Sequence, residues 1–253
     1  MISVVLLGAG NVATHLFKAF YASEDIEIKQ WYNRNLKTID KYKNKVKVTD
    51  DLASLTQADI YILAVSDDAI EDLSKQLPFK DRLVVHTSGS TSLYAVDMKQ
   101  KRGVFYPLQT FSKAADLDFT DVPICIEALK KVDLPILKQL AEAIGCKSHK
   151  VNSDQRQALH LAAVFVNNFT NQLYRMAHEI TEQNGAEFDI LKPLIRETAN
   201  KIEALSPYLA QTGPALRNDK KTIKRHLKQL ESEQHKAVYE LLTKSIKKTH
   251  GIR

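Results

Sequence analysis

Two hydrophobic rhythms divide this chain. Up to about residue 151, short apolar runs at 2–7, 26–32, 46–48, 60–65, 82–85, 103–107, 122–127 and 146–151 are interleaved with helix-like stretches, such as 13–22 and 132–144. Residues 60–65 are apolar almost without interruption, as a strand buried on both faces should be. Strands alternating with helices in this way predict an α/β fold with a doubly wound, mainly parallel sheet. At Asn152-Ser153-Asp154 the texture changes to helix-capping residues, and no strand pattern follows. Helices are predicted over 154–184, stopped by Gly185, then over 188–205, briefly from Ser206-Pro207, and over 219–230 and 232–248. The chain therefore reads as an α/β domain at 1–151 and an all-helical domain at 152–253.

The first strand runs into Gly8-Ala9-Gly10-Asn11-Val12-Ala13, of the form G-x-G-x-x-A. Each small residue has its own steric task. Gly8 lets the chain turn sharply, Gly10 lets a phosphate approach the backbone, and Ala13 lets the helix pack closely on the sheet. The free N–H groups and positive dipole end of that helix suit a pyrophosphate. Following a strand and opening a helix, the pattern marks a Rossmann dinucleotide site in which Gly8, Ala9, Gly10, Asn11 and Val12 face the cofactor. The second strand ends in Asn33-Arg34-Asn35, where an NAD-binding fold places an acidic residue for the ribose 2′-hydroxyl. Arg34 instead offers a guanidinium to a 2′-phosphate, and Asn33 and Asn35 add neutral hydrogen-bonding groups, so the expected cofactor is NADP(H).

Ligands gather at the carboxyl ends of parallel strands. That rule adds Val65 and Ser66 after the fourth strand, and His86-Thr87-Ser88-Gly89-Ser90 after the next, to the expected site. Asp67 or Asp68 is placed to cap the helix that follows Ser66. His86 is assigned to the cofactor, Ser88 to catalysis and Ser90 to the substrate. Tyr106, near the end of the sixth strand, and Gln109, just beyond it, complete the substrate side of this domain.

Composition narrows the class. With 253 residues, 44% hydrophobic and 26% charged, the chain has the make-up of a soluble globular protein able to bury two cores. No apolar run approaches membrane-spanning length, and a strand beginning at Ile2 leaves no room for a signal helix, so a cytoplasmic location is expected. Cys125 and Cys146 lie in separate strand-like segments without metal-ligand spacing and read as core residues; no metal is expected. Of the net charge of +6, residues 217–253 carry eleven Lys and Arg against four Asp and Glu. Leu227, Leu230, Val238, Leu241, Leu242 and Ile246 recur there at helical spacing, which makes the lysines a solvated helix face and not a nucleic-acid surface.

Residues 157–174 are eighteen consecutive positions without a formal charge. At 26% charged residues, random placement gives such a run in roughly under one window in a hundred. His160, Asn167, Asn168, Asn171 and Gln172 exclude a membrane helix, so protein, a partner subunit or a ligand must cover it. At 100° per residue His160, Val164, Asn167, Asn171 and Tyr174 share a stripe. That stripe could be a buried polar network between domains or subunits. Alternatively, His160 is the proton donor to a substrate, with Asn167 orienting it and Asn171 binding it. Arg217 is a second candidate, able to hold a substrate carboxylate bidentately.

Taken together, the glycine turn, His86-Thr87-Ser88-Gly89-Ser90, the segment Phe105-Tyr106-Pro107-Leu108-Gln109-Thr110-Phe111-Ser112, the helix around His160 and Asn167, and Thr212-Gly213-Pro214 with Arg217 and Asp219 resemble the Rossmann-like proteins with a C-terminal DUF2520 domain. That family carries the label of F420-dependent NADP oxidoreductases, which brings in F420 as a further cofactor by name alone. More distantly, the layout is similar to pyrroline-5-carboxylate reductase, ketopantoate reductase and the 6-phosphogluconate and β-hydroxyacid dehydrogenases. The resemblance implies a cofactor between domains and a homodimer formed through the helical domain. The lysine that β-hydroxyacid dehydrogenases carry one turn before an asparagine is missing, since Ala163 and Val164 stand there. The expected function is an NADP(H)-dependent oxidoreductase acting on a small C=O or C=N substrate. A catalytically silent NADP-binding sensor is the alternative from another class.

Overall fold

Strand β1 (Ile2–Leu7) is the axis of the first unit, and its side chains alternate between two cores. Val4 and Leu6 pack with Leu16, Phe17 and Trp31 on one face, whereas Val5 and Leu7 pack with Tyr61, Ile70 and Leu77 on the other. Both faces are buried from Val4 to Leu7 because helices cover both, which is why that stretch is apolar at every position. A computed structural model describes residues 1–112 and 117–252. After β1 come α1 (Asn11–Ala22), β2 (Ile26–Tyr32), β3 (Val48–Thr49), β4 (Ile60–Leu63), α2 (Asp67–Gln76), β5 (Leu83–His86), β6 (Lys101–Pro107), β7 (Ile124–Ala128), α3 (Leu134–Glu142) and β8 (Ser148–Lys150).

The eight strands form one sheet in the order β3-β2-β1-β4-β5-β6-β7-β8. Every pairing is parallel except β6 with β7, which runs antiparallel. The strand order reverses at β1, between β2 and β4, so the carboxyl ends of β1 and β4 flank the crevice where such sheets take ligands. Cys125 and Cys146 are buried free thiols, and burial raises both above the usual cysteine range, Cys146 to about 11.

The helical region begins with α4 (Ser153–Ala163), opened by a capping box in which Asn152 and Gln155 bond reciprocally. A π-helical segment, Val164–Phe169, and α5 (Thr170–Gln183) follow. The predicted helix is therefore present, with a change of pitch in its middle. Beyond it lie α6 (Lys192–Ala204), α7 (Pro207–Ala210), α8 (Lys220–Gln229), capped by Asp219, and α9 (Glu233–Thr249). By internal contacts the chain divides into residues 1–167 and 168–253, later than the change of texture at residue 151. The difference has a clear source. Arg156, fully buried, ties α4 to β7 through Glu127 and to the turn after β5, which makes α4 part of the first unit. No helix among the described residues is long and apolar enough to cross a membrane.

Candidate active site

The glycine turn is built as its sequence implies. Gly8 adopts φ +112°, a region that suits glycine, and a β-carbon there would lie 2.1 Å from the Ala64 carbonyl oxygen. Trp31 Nε1 donates to the Gly8 carbonyl at 2.6 Å, which holds the turn from the β2 side. Gly10 is different: nothing lies within 4 Å of where its β-carbon would be. It stands at the N-cap of α1 without any side-chain cap, so the first-turn N–H groups face open space. Asn11 Nδ2 donates to the Phe111 carbonyl at 2.7 Å and ties the helix start to the segment after β6.

These residues line one end of a cavity of about 1210 Å³ contained in the first unit. Ala9, Val12, Asn33, Arg34, Asn35, Val65 and Ser66 line it too, as expected from sequence. Arg34 is exposed and makes no ion pair among the described residues, and Asn33 Nδ2 bonds the Asn35 carbonyl at 2.8 Å to shape the loop around it. The cradle in front of Gly10, the uncapped helix start and the unpaired Arg34 fit a phosphorylated dinucleotide. Gly89 of the turn after β5 lines it as well, as does Asp67, expected only as a helix cap, and Tyr32 and Thr38 join them without any signal in the sequence pattern. Among the described residues no cluster of His, Cys, Asp and Glu is arranged to hold a metal ion.

At the other end stand Ser88, Tyr106, Gln109 and His160. The Tyr106 hydroxyl lies 3.1 Å from His160 Nδ1, with the two rings edge to face at 72°. Burial pushes the Tyr106 phenol up to about 12, so it stays protonated at neutral pH. A protonated phenol donates to Nδ1 when the imidazole carries its proton on Nε2, and accepts from Nδ1–H in the other tautomer. Gly89 presses on this pair, for a β-carbon there would fall 2.7 Å from both His160 Nδ1 and Tyr106 Cζ.

Several expectations are revised by the geometry. His86 does not line the cavity: it is fully buried, on the strand face it shares with Val84, and its Nδ1 accepts the Ser88 N–H at 3.2 Å. Among the described residues its Nε2 has no hydrogen-bond partner of good geometry, and burial, helped by the charge of Arg156 and opposed only weakly by the Ser92 backbone, pulls the imidazole down to about 4. Ser88 lines the cavity, but its hydroxyl is engaged in the turn, accepting the N–H groups of Ser90 and Thr91 and donating to Thr91 Oγ1 at 2.9 Å. Ser90 lies off the cavity wall and donates to Asp67, while Ser66, not an aspartate, is the N-cap of α2. Asn167 is exposed and outside the cavity, because the π-helical turns each take in about one more residue than α-helical turns and carry it off the 100° stripe. Asn171 and Arg217 lie in the second unit, both exposed.

One residue that the sequence reading passed over joins these parts. Arg156 donates through Nε to the Ser88 carbonyl at 3.2 Å, through Nη2 to the Thr91 carbonyl, and through Nη1 to Glu127, whose side chain is 12% exposed. Burial works against the guanidinium charge and Glu127 offsets it. The available signal was its position: Arg156 is the last charge before the eighteen-residue uncharged run.

Similarity to known proteins agrees with this architecture. Residues 3–89 match the family described as NADP oxidoreductase, coenzyme F420-dependent, and residues 122–246 match the domain of unknown function DUF2520. A Bacteroides fragilis protein whose structure is named "putative NADP oxidoreductase" is 38% identical, with 98% of each chain covered and a TM-score of 0.86. An imine reductase from Myxococcus stipitatus in complex with NADP+ shares the fold at 16% identity, covering 97% of this chain and 93% of its own, with a TM-score of 0.71. A 1-pyrroline-5-carboxylate reductase from Streptococcus pyogenes does so at 12% identity, 99% coverage of each chain and a TM-score of 0.66. No protein of curated function matches the sequence significantly.

Proposed function

Because the chain belongs to the family of Rossmann-like NADP oxidoreductases that carry a C-terminal DUF2520 domain, we propose that it is an NADPH-dependent reductase of a small C=O or C=N substrate. The observation that carries this reading is that one cavity has a dinucleotide cradle among its walls and the Tyr106–His160 pair on the same lining. Gly8 and Gly10 with the α1 N-terminus would hold the pyrophosphate, and Arg34 with Asn33 and Asn35 would hold the 2′-phosphate. When bound, the nicotinamide supplies the hydride.

The chain's own residues do the rest. With Tyr106 donating to Nδ1 of His160, Nε2–H is free to hydrogen-bond the substrate heteroatom as negative charge develops on it, and transfer of that proton is balanced by the Tyr106 proton passing to Nδ1, so that no imidazolate is formed. Gln109, on the same wall, has a side-chain amide for orienting a polar substrate group; its Oε1 already accepts the Thr110 N–H at 2.8 Å. Fold-sharing imine and pyrroline reductases make cyclic imines the first substrates to try, followed by keto acids; F420 joins the panel on its family name.

The protein is also proposed to work as a homodimer. Among the described residues of the second unit only Met176, Ala215 and His235 are buried, too small a core for a helical unit of that length to stand alone. Leu161, Phe165, Val166 and Phe169 are 50–73% exposed on the uncharged run. A second copy of the chain is the natural cover, since a two-fold contact buries the same apolar face twice.

Calorimetric titration of the apoprotein with NADPH and, separately, with NADH tests the cofactor, and oxidation of NADPH with the substrate panel tests the reaction. Tight NADPH binding with turnover of an imine or keto acid is expected. Binding without turnover of any panel member would instead favour a sensor, and binding of neither nucleotide would end the oxidoreductase reading.

A further inference from the structure

We propose that Arg156 is a positioning residue of this site, its buried guanidinium clamping the Ser88–Thr91 turn so that Gly89 holds Tyr106 and His160 in register. The inference rests on the proposed role of His160. Three segments meet at this one side chain: the turn after β5 through the carbonyls of Ser88 and Thr91, β7 through Glu127, and the start of α4 through Ser153 Oγ at 3.5 Å. Ser153 reinforces the junction, since its hydroxyl lies 3.1 Å from both Glu127 carboxylate oxygens and accepts the Leu93 N–H at 3.3 Å. Arg156 precedes His160 by one helical turn on α4, so one residue fixes both the helix bearing the imidazole and the turn bearing Gly89.

Chemistry explains why arginine stands here. A planar guanidinium directs several N–H groups along fixed lines, and it reaches two backbone carbonyls and a carboxylate at once. Lysine has one ammonium on a flexible stem and cannot span all three. The turn has to be held firmly because Gly89 approaches two rings at a distance that leaves no space for a methyl group. If the turn relaxed outward, the contact that sets the Tyr106–His160 geometry would go with it.

The test uses the full-length apoprotein and two variants. Arg156→Lys retains the ion pair with Glu127 but not the bonds to both carbonyls. Arg156→Met combined with Glu127→Met removes both buried charges together, which proteins tolerate far better than removing one. The first readout is the tautomer of His160, from long-range 1H–15N spectra of protein labelled at histidine nitrogen and assigned with His160→Gln. The wild type should show Nε2–H with Nδ1 unprotonated, and both variants should drift toward averaged tautomers. The second readout is kcat on the best panel substrate, expected to fall about tenfold or more while NADPH affinity stays within about twofold.

A folded Arg156→Lys protein with an unchanged tautomer overturns the proposal, whether or not kcat falls. Unfolding of both variants overturns it in favour of a purely structural clamp. Should the wild type turn over nothing in the panel, the proposed function fails, and the spectra still decide whether Arg156 sets the imidazole.

Discussion

A β-carbon on Gly8 would sit 2.1 Å from the Ala64 carbonyl oxygen, while one on Gly10, two residues later, would meet nothing within 4 Å. The two glycines are therefore required for different reasons, and substitution separates them. Gly8→Ala must move β1 away from the end of β4 and also strain a left-handed φ, so a loss of about 3 kcal/mol or more in folding stability is expected. Gly10→Ala should leave the denaturation midpoint within experimental error and weaken NADPH binding at least about tenfold, because its methyl occupies the space a phosphate needs. Denaturant melts and calorimetry on the pair check this. Equal NADPH affinity in Gly10→Ala and wild type would place the pyrophosphate elsewhere.

Arg34 is exposed at the cavity rim without an ion pair, so its removal costs the fold little. A charge-assisted bond to a phosphate contributes about 1.5–3 kcal/mol. Arg34→Ala should thus weaken NADPH by roughly 10- to 100-fold and leave NADH nearly unchanged. Parallel losses for both nucleotides would remove the 2′-phosphate from this position.

The pair of Tyr106 and His160 predicts unequal effects. His160→Ala should lower kcat by roughly 10²–10⁴-fold with NADPH affinity intact, as for loss of a general acid. Tyr106→Phe keeps the imidazole but removes the hydroxyl at Nδ1, so a smaller loss is expected. Steady-state kinetics across pH 5 to 9 distinguishes the two. A larger loss for Tyr106→Phe than for His160→Ala would make the phenol itself the donor.

His86 makes folding pH-dependent. Its folded value, about 4, lies below the ordinary 6.5, so the unfolded chain binds the proton more tightly. The contribution is fully present above pH 6.5 and is lost as pH falls from there through 4, amounting to roughly 3 kcal/mol at 1.36 kcal/mol per pKa unit. Chemical melts between pH 4 and 7.5 should show this slope, and His86→Leu should flatten it. An unchanged slope in the variant would assign it to other groups.

Val166 is 73% exposed in the middle of the uncharged run. If a second copy covers it, Val166→Asp should convert a dimer to a monomer in light scattering across a concentration series. A wild-type protein that is monomeric at all concentrations would reject the self-association proposal.

Local patterns told a good deal of this in advance. An unbroken apolar run such as 60–65 has only one common use in an α/β chain, and G-x-G-x-x-A after a strand encodes local steric needs that no distant residue alters. The α/β sheet, the helical C-terminal region, the glycine turn and the place of Arg34 were legible for that reason. Tertiary structure decided which polar residues share a cavity. His160 meets Tyr106, 54 positions away, and Arg156 reaches Ser88 across 68, and no periodicity reports such pairings. His86 was turned into the core by strand alternation acting together with the neighbours that cover that face. Asn167 left its predicted stripe because the helix changes pitch at Val164–Phe169, and one residue's difference per turn is invisible to a count made at 100°.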